Sequence, residues 1–296
     1  MTLEQVRELV GRLNAGAGSL AALGAALDAK VNGIAIEPQL QPHIDALVTA
    51  LGGSDALANL TGAELRPVLA EIRTFGLLNT KLLFPGTRTS GWAHTDETLQ
   101  ATGEISMAFP HTLKKMVAPM LGDLSARLET AGAAFLDVGV GVGMLSIEMA
   151  RLWPTLRIVG IDPWAPSLAL GHANVKAAGL EDRIELREQA AESLSDEDAF
   201  DLAWLPSAFV PGTAMPTALT RVHRALKTGG WVLLATVRLS SDPIAGPLAR
   251  LRLAQFGGWD VSPEESAAFL TKSGFEDVKI LPGPPNSPAA MIAGRK

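Results

Sequence analysis

Apolar positions recur at helical spacing through the first 130 residues and in short, strand-like runs beyond them. Thr2 with Gln5 three residues on reads as a capping box, and Leu3, Val6, Val10 and Leu13 then share one helix face. Ser19 opens a second helix carrying Leu20, Leu23 and Leu27. Ile44, Leu47 and Leu51 make a third stripe, ended by Gly52 and Gly53. Thr61 and Glu64 form another capping box before Leu65, Leu69 and Ile72, with Pro67 expected to kink that helix. Residues 84–96 are rich in turn formers and aromatics and read as a loop. Leu113, Met116, Leu121, Leu124 and Leu128 mark a last helix, bent at Pro119.

From residue 131 strands and helices alternate. Ala134–Val138 reads as a strand, followed by a helix over 143–153 that Pro154 stops. Arg157–Ile161 is the next strand, and a helix from Pro166 to Ala178 is closed by Gly179. Ile184–Arg187 and Phe200–Leu205 follow as strands, then a helix with Leu219, Val222 and Leu226 that ends at Gly229 and Gly230. Trp231–Val237 is apolar almost throughout, as a strand covered on both faces should be. Ser262-Pro263-Glu264-Glu265 supplies an N-cap, Pro at N1 and Glu at N3 for a helix ending at Gly274. Val278–Leu281 and Ala289–Ala293 pair as a closing hairpin across Pro282–Pro288. Alternation of this kind gives a parallel sheet with helices on both faces, and such sheets bind ligands outside the carboxyl ends of their strands. Chemistry is therefore sought in the loops after Val138, Ile161, Arg187 and Leu205.

Composition narrows the function classes. At ~100–200 residues per domain, a chain of 296 residues holds about two domains. With 47% hydrophobic residues it is too apolar for disorder. The net charge of −6 is shared evenly, −3 over residues 1–130 (10 Lys+Arg, 13 Asp+Glu) and −3 over the rest (15 and 18). No basic run exists, which argues against a nucleic-acid partner. Cysteine is absent, which removes disulfides, Cys-ligated zinc and thiol nucleophiles. The charged start MTLEQVREL does not read as a signal peptide, and every long apolar stretch is broken by charge. A soluble, cytoplasmic protein without a membrane span is the expectation.

The first of the four loops reads Asp137-Val138-Gly139-Val140-Gly141-Val142-Gly143. Glycines let the backbone turn sharply and let a ligand approach closely, and the helix that follows supplies free N–H groups. The second strand ends in Asp162, whose carboxylate can accept hydrogen bonds from both hydroxyls of a ribose. Two nucleoside cofactors fit. The dinucleotide fingerprint G-x-G-x-x-G would need glycine at 144, where Met144 stands; Gly143 comes one place early. Asp137 beside the loop would repel a pyrophosphate but suits an ammonium and a sulfonium. Both details favour S-adenosylmethionine over NAD.

On these residues the stretch 131–296 resembles the class I S-adenosylmethionine-dependent methyltransferases. Phe135 through Gly143 looks like the family's first motif, and Asp162 matches its ribose-binding acid. His172-Ala173-Asn174-Val175 through Gly179-Leu180, Phe200 through Trp204, and Leu226-Lys227-Thr228-Gly229-Gly230 resemble later motifs, the last with Thr228 in place of proline. The resemblance implies a Rossmann-like α/β fold: a seven-stranded mixed sheet whose last strand is antiparallel, helices on both faces, and an N-terminal all-helical region. Residues 1–110 would then form a lid, acceptor pocket or dimerisation surface, and 111–296 the cofactor domain. One departure concerns adenine. The acid that the family usually carries after the third strand is replaced by Ala190, so Gln189 or a backbone group would serve instead. Trp164, next to Pro163, would either stack on adenine or sit as a surface aromatic.

The segment Trp204-Leu205-Pro206-Ser207-Ala208-Phe209 is apolar and aromatic at the mouth after the fourth strand, which favours a small apolar or aromatic acceptor. Leu205 falls on the cofactor side of that mouth, and Trp204, Ser207 and Phe209 on the acceptor side. The family folds the segment before the first strand over the cofactor, which makes His94 and His111 the candidate bases, against plain solvated or capping roles. Trp92, Gln100 and Ser106 would face the substrates from the same segment. The histidines show no ligand spacing and no carboxylates follow the fourth strand, so no metal is expected. The reading is a small-molecule methyltransferase of secondary metabolism. Two alternatives stay open: a protein that holds the cofactor without transferring methyl, and an NAD-dependent oxidoreductase. A homodimer through the N-terminal region is compatible with all three.

Overall fold

A computed structural model of the chain describes residues 1–87, 90–238, 240–283 and 289–296. Arg88 and Thr89 of the expected loop, and Pro284–Pro288 of the expected hairpin turn, lie outside the described residues. The chain divides into two compact units, Met1–Leu83 and Phe84–Lys296, so the division comes before residue 110.

The first unit holds α1 (Leu3–Asn32), α2 (Gln41–Ala50), α3 (Ser54–Asn59) and α4 (Gly62–Leu83). The Thr2–Gln5 capping box forms as expected. The break expected at Ser19 does not: α1 runs on for 30 residues. Gly16 and Gly18 weaken the helix by about 1 kcal/mol each but leave its hydrogen-bond ladder intact. Leu27, Leu65 and Leu69 form the small core. Gly24 lets α1 and α4 approach, since a Cβ there would lie 3.1 Å from Ile72 Cγ2. α4 runs through Pro67, whose flanking Leu65 and Leu69 are both buried in that core. Two apolar stripes do not face it. In α2, Val48 is buried while Leu47 and Leu51 are exposed, and in α1 Leu3, Val6, Val10 and Leu13 face solvent.

The second unit begins with α5 (Asp96–Ser106) and α6 (Ala108–Thr112). The expected single helix around Pro119 is broken more thoroughly than a bend. A π-helical turn covers Leu113–Val117, a 3-10 turn Ala118–Met120, and α7 (Leu124–Glu129) follows. Pro119 lacks the N–H that a continuous ladder needs. Then come β1 (Ala134–Val138), α8 (Met144–Leu152), β2 (Arg157–Asp162), α9 (Ala165–Ala177), β3 (Ile184–Glu188), β4 (Phe200–Pro206) and α10 (Met215–Ala225). The chain closes with β5 (Leu226–Val237), α11 (Ala245–Phe256), α12 (Pro263–Lys272), β6 (Glu276–Ile280) and β7 (Ala289–Arg295).

The sheet has seven strands in the order β3-β2-β1-β4-β5-β7-β6. β1 to β5 pair in parallel, and β7 runs antiparallel to both β5 and β6. Alternate residues of each central strand feed two cores. Phe135, Leu202 and Leu233 pack with α7 and α8, whereas Leu136, Ala203 and Leu234 pack with α10 and α12. The Gly229–Gly230 pair lies inside β5 rather than ending α10, because α10 stops at Ala225 and the chain enters the sheet at Leu226. Strand order reverses between β1 and β4, and the crevice sought for a ligand opens beyond their carboxyl ends.

Candidate active site

The glycine loop leaves β1 with Gly139, Gly141 and Gly143 at φ of 72°, 56° and 78°, a left-handed backbone that residues with a Cβ rarely adopt. It is stitched to the next strand: the Gly139 and Val140 N–H groups both donate to Ile161 O, at 2.8 and 3.1 Å. Gly143 ends the loop and caps α8. Asp162, the last residue of β2, fastens the loop from the other side. Its Oδ2 accepts from Gly141 N–H at 3.0 Å and its Oδ1 from Trp164 N–H at 2.9 Å. Burial raises the Asp162 pKa, and the two backbone donors oppose that. A carboxylate with one donor on each oxygen still has lone pairs for two hydroxyls.

Asp137 lies beneath this loop, 2% exposed. Ser146 of α8 donates its hydroxyl to Asp137 Oδ2 at 2.7 Å. Burial pushes the Asp137 pKa up to about 7; the Ser146 bond lowers it and the charge of Asp162 adds to the rise.

Two chambers meet over Gly139. The first is lined by Asp137, Gly139, Gly141, Asp162, Trp164 and Ser106, and reaches His94, Trp204, Phe209 and Trp92. The second is lined by Asp162, Pro163, Gln189 and Ala190, and again by Gly139, Trp92 and Phe209. Among the described residues no Lys or Arg lines either chamber. A long ligand crossing both would meet carboxylates and no fixed cation, which suits a cationic nucleoside and disfavours a pyrophosphate. The donor set therefore fits the cofactor expected from the sequence. Gln189 folds its amide onto Ser193 O at 3.0 Å, and Glu192 brings a carboxylate to the second chamber that the sequence reading passed over.

The end of the first chamber away from the two carboxylates is aromatic. His94 is half-buried, with its Nε2 shielded from solvent and its ring 5.3 Å from that of Phe256. Phe256 meets Phe209 edge-on at 5.6 Å, and Phe209 meets Trp92 at 5.4 Å. Trp204 stacks on Phe109 at 4.0 Å.

Some expected site residues are not brought to the crevice. His111 is half exposed and pairs with Glu148 at 2.9 Å on the outer side of α8. Gln100 exchanges hydrogen bonds with Asn174 of α9, the shorter at 3.0 Å. Leu205 and Ser207 are fully buried behind the wall formed by Trp204 and Pro206. In exchange α5 contributes Leu99, Thr102 and Gly103, α9 contributes Ser167, and α11 contributes Phe256. Neither α5 nor α11 was foreseen, although Thr95 as N-cap with Asp96 and Glu97 in the first turn is a legible helix start. Among the described residues no three His, Cys, Asp or Glu side chains gather as a metal centre requires. No described helix is long and apolar enough to cross a membrane.

Residues 135–230 match a family model described as a methyltransferase domain. The ubiquinone biosynthesis O-methyltransferase of Xanthomonas axonopodis pv. citri is 34% identical over 187 residues, covering 58% of this chain and 75% of that protein. The pyocyanin biosynthetic protein PhzM aligns over 100% of both chains with TM-score 0.65 at 17% identity. Human N-acetylserotonin methyltransferase, solved with S-adenosylmethionine, aligns over 100% of this chain and 99% of its own with TM-score 0.59, also at 17% identity. The last two likenesses speak to the fold, and the first to descent.

Proposed function

Given that this chain belongs to the class I S-adenosylmethionine-dependent methyltransferases, we propose that it methylates a hydroxyl on a small, flat, apolar or aromatic molecule, without a metal. The observation that carries this reading is the crevice itself, with carboxylates at one end and a half-buried histidine among aromatic rings at the other. The O-methyltransferase relative supports oxygen as the atom methylated.

S-adenosylmethionine is the cofactor, and when bound it supplies a methyl group on a positively charged sulfur. Asp162 holds the ribose hydroxyls, and the Gly139–Gly143 backbone lies under the sugar and the amino-acid portion. Asp137 holds the ammonium end. Gln189, Ala190 and Glu192 line the adenine end, with Pro163 beside it. Trp92, Trp204, Phe209 and Phe256 enclose the acceptor ring and exclude water, and Ser106 borders the same space. Enclosure fixes the acceptor oxygen in line for displacement, which supplies most of the rate enhancement. His94 takes the hydroxyl proton at Nε2 as the oxygen attacks. We also propose a homodimer, in which a second copy covers the Leu3, Val6, Val10 and Leu13 face that α1 exposes.

A screen of phenols and hydroxylated aromatic heterocycles with methyl-tritiated cofactor tests this. Label should enter at least one of them, and His94→Ala should slow that transfer ~100-fold or more while cofactor affinity stays unchanged. Cofactor binding without transfer to any acceptor would select a protein that holds the cofactor for another purpose. Normal turnover in His94→Ala would remove the base.

A further inference from the structure

We propose that Ser146 is a positioning residue for the cofactor: through its hydrogen bond to Asp137 it keeps that carboxylate charged and aimed at the ammonium group. The inference rests on the reading that the crevice holds S-adenosylmethionine. Ser146 is the third residue of α8, fully buried, and not among the residues lining the crevice. Its hydroxyl donates to Asp137 Oδ2 at 2.7 Å. Serine is a poorer helix former than alanine, and alanine would fill this place with no polar group to satisfy. The bond to Asp137 accounts for the hydroxyl at this position.

The surroundings make that bond consequential. Facing Asp137 from β2 and its loop is Asp162, a second negative charge that favours protonation. From the segment before α5 comes His94, the remaining titratable group among the described residues of the first chamber's lining. α5 presents Leu99, Thr102, Gly103 and Ser106, and β4 presents Trp204, none of them charged. Among the described residues no Lys or Arg lines the chamber to hold the Asp137 charge in place. Even with the Ser146 bond opposing the rise, burial leaves its pKa at about 7. Loss of the hydroxyl raises the pKa further, so that Asp137 is mostly protonated at neutral pH. A protonated Asp137 no longer offers a charge to the ammonium group.

The test is calorimetric titration of S-adenosylhomocysteine, which carries the ammonium group, into wild type and Ser146→Ala from pH 6.5 to 9. Wild-type affinity should fall toward the acid side of this range. In Ser146→Ala the midpoint should move up by about one pH unit, giving a roughly tenfold loss at pH 6.5 that narrows toward pH 9. In an Asp137→Asn background, Ser146→Ala should add no further pH dependence. A loss of equal size at every pH, with a lowered melting temperature, would mark Ser146 as packing alone and overturn the proposal. So would an Ser146→Ala profile that coincides with wild type. Failure of wild type to bind at any pH would instead overturn the cofactor reading beneath it.

Discussion

Asp162 and Asp137 share one crevice but differ in their debts to the fold. Asp162 is held by two backbone donors, so the oxygens that shape the loop are the same ones proposed to receive the ribose hydroxyls. Asp137 is buried with a single hydroxyl donor, and its ionisation is costly in the ligand-free protein. Its folded-state pKa of about 7 stands above the usual carboxylate value, so the folded state holds the proton more tightly than the unfolded chain. Its contribution to stability is therefore fullest below the unfolded pKa near 4 and is lost as pH rises toward 7. Asp137→Asn should stabilise the ligand-free protein relative to wild type, and by about 2 kcal/mol more at pH 8 than at pH 5.5. Urea unfolding at the two pH values checks this, and a difference that does not grow with pH would contradict it. Both carboxylates were legible in the sequence from their places beside a glycine loop and at a strand end. Their partners were not, because hydrogen bonds such as Ser146 to Asp137 depend on how α8 turns over the strand. The misplaced residues have equally local reasons. Trp204 and Pro206 line the crevice while Leu205 does not, which is the two-residue alternation of a strand, and Ser207 turns inward in the 3-10 turn that follows β4. Gln100 points to α9 because it lies off the face that α5 turns inward.

At the scale of elements, that face of α5 is Leu99, Thr102, Gly103 and Ser106, the spacing of one helical stripe. Had the Thr95 cap been read as a helix start, the stripe would have followed from the sequence. Gly103 is the point of closest approach: a Cβ there would lie 2.3 Å from Val142 Cγ2 and 3.2 Å from Met144 Cγ. Gly103→Ala should push α5 off the glycine loop, weakening S-adenosylhomocysteine binding and destabilising the protein by ~1–3 kcal/mol. On helix propensity alone the substitution would stabilise by about 1 kcal/mol, so the sign of the change in melting temperature separates the two effects. The strands themselves were readable because short apolar runs between glycines and prolines mark a buried parallel sheet. The start of β5 was not, since Leu226–Gly230 carries turn residues yet joins the sheet through a register shift beside Phe200 and Leu202.

For the whole molecule, what the pattern of apolar residues could not reveal is which stripes meet a partner within the chain. α1 displays Leu3, Val6, Val10 and Leu13 at helical spacing, as a core helix would, and exposes them. A C2 pairing of two such faces would bury each against its copy. Light scattering should give twice the 31.0 kDa chain mass. Val10→Lys with Leu13→Lys should return the protein to monomer without changing cofactor affinity. A wild-type protein that is monomeric at micromolar concentration would refute the dimer.

The central claim is a crevice at the carboxyl ends of β1, β2 and β4 that grips a charged nucleoside by its sugar. Calorimetry with S-adenosylhomocysteine at pH 8, on wild type and Asp162→Ala, tests it most directly. One molecule should bind per chain in wild type, and Asp162→Ala should lose ~2 kcal/mol or more, roughly a thirtyfold drop in affinity. Absence of binding to wild type, or equal affinity in the two proteins, would contradict the account.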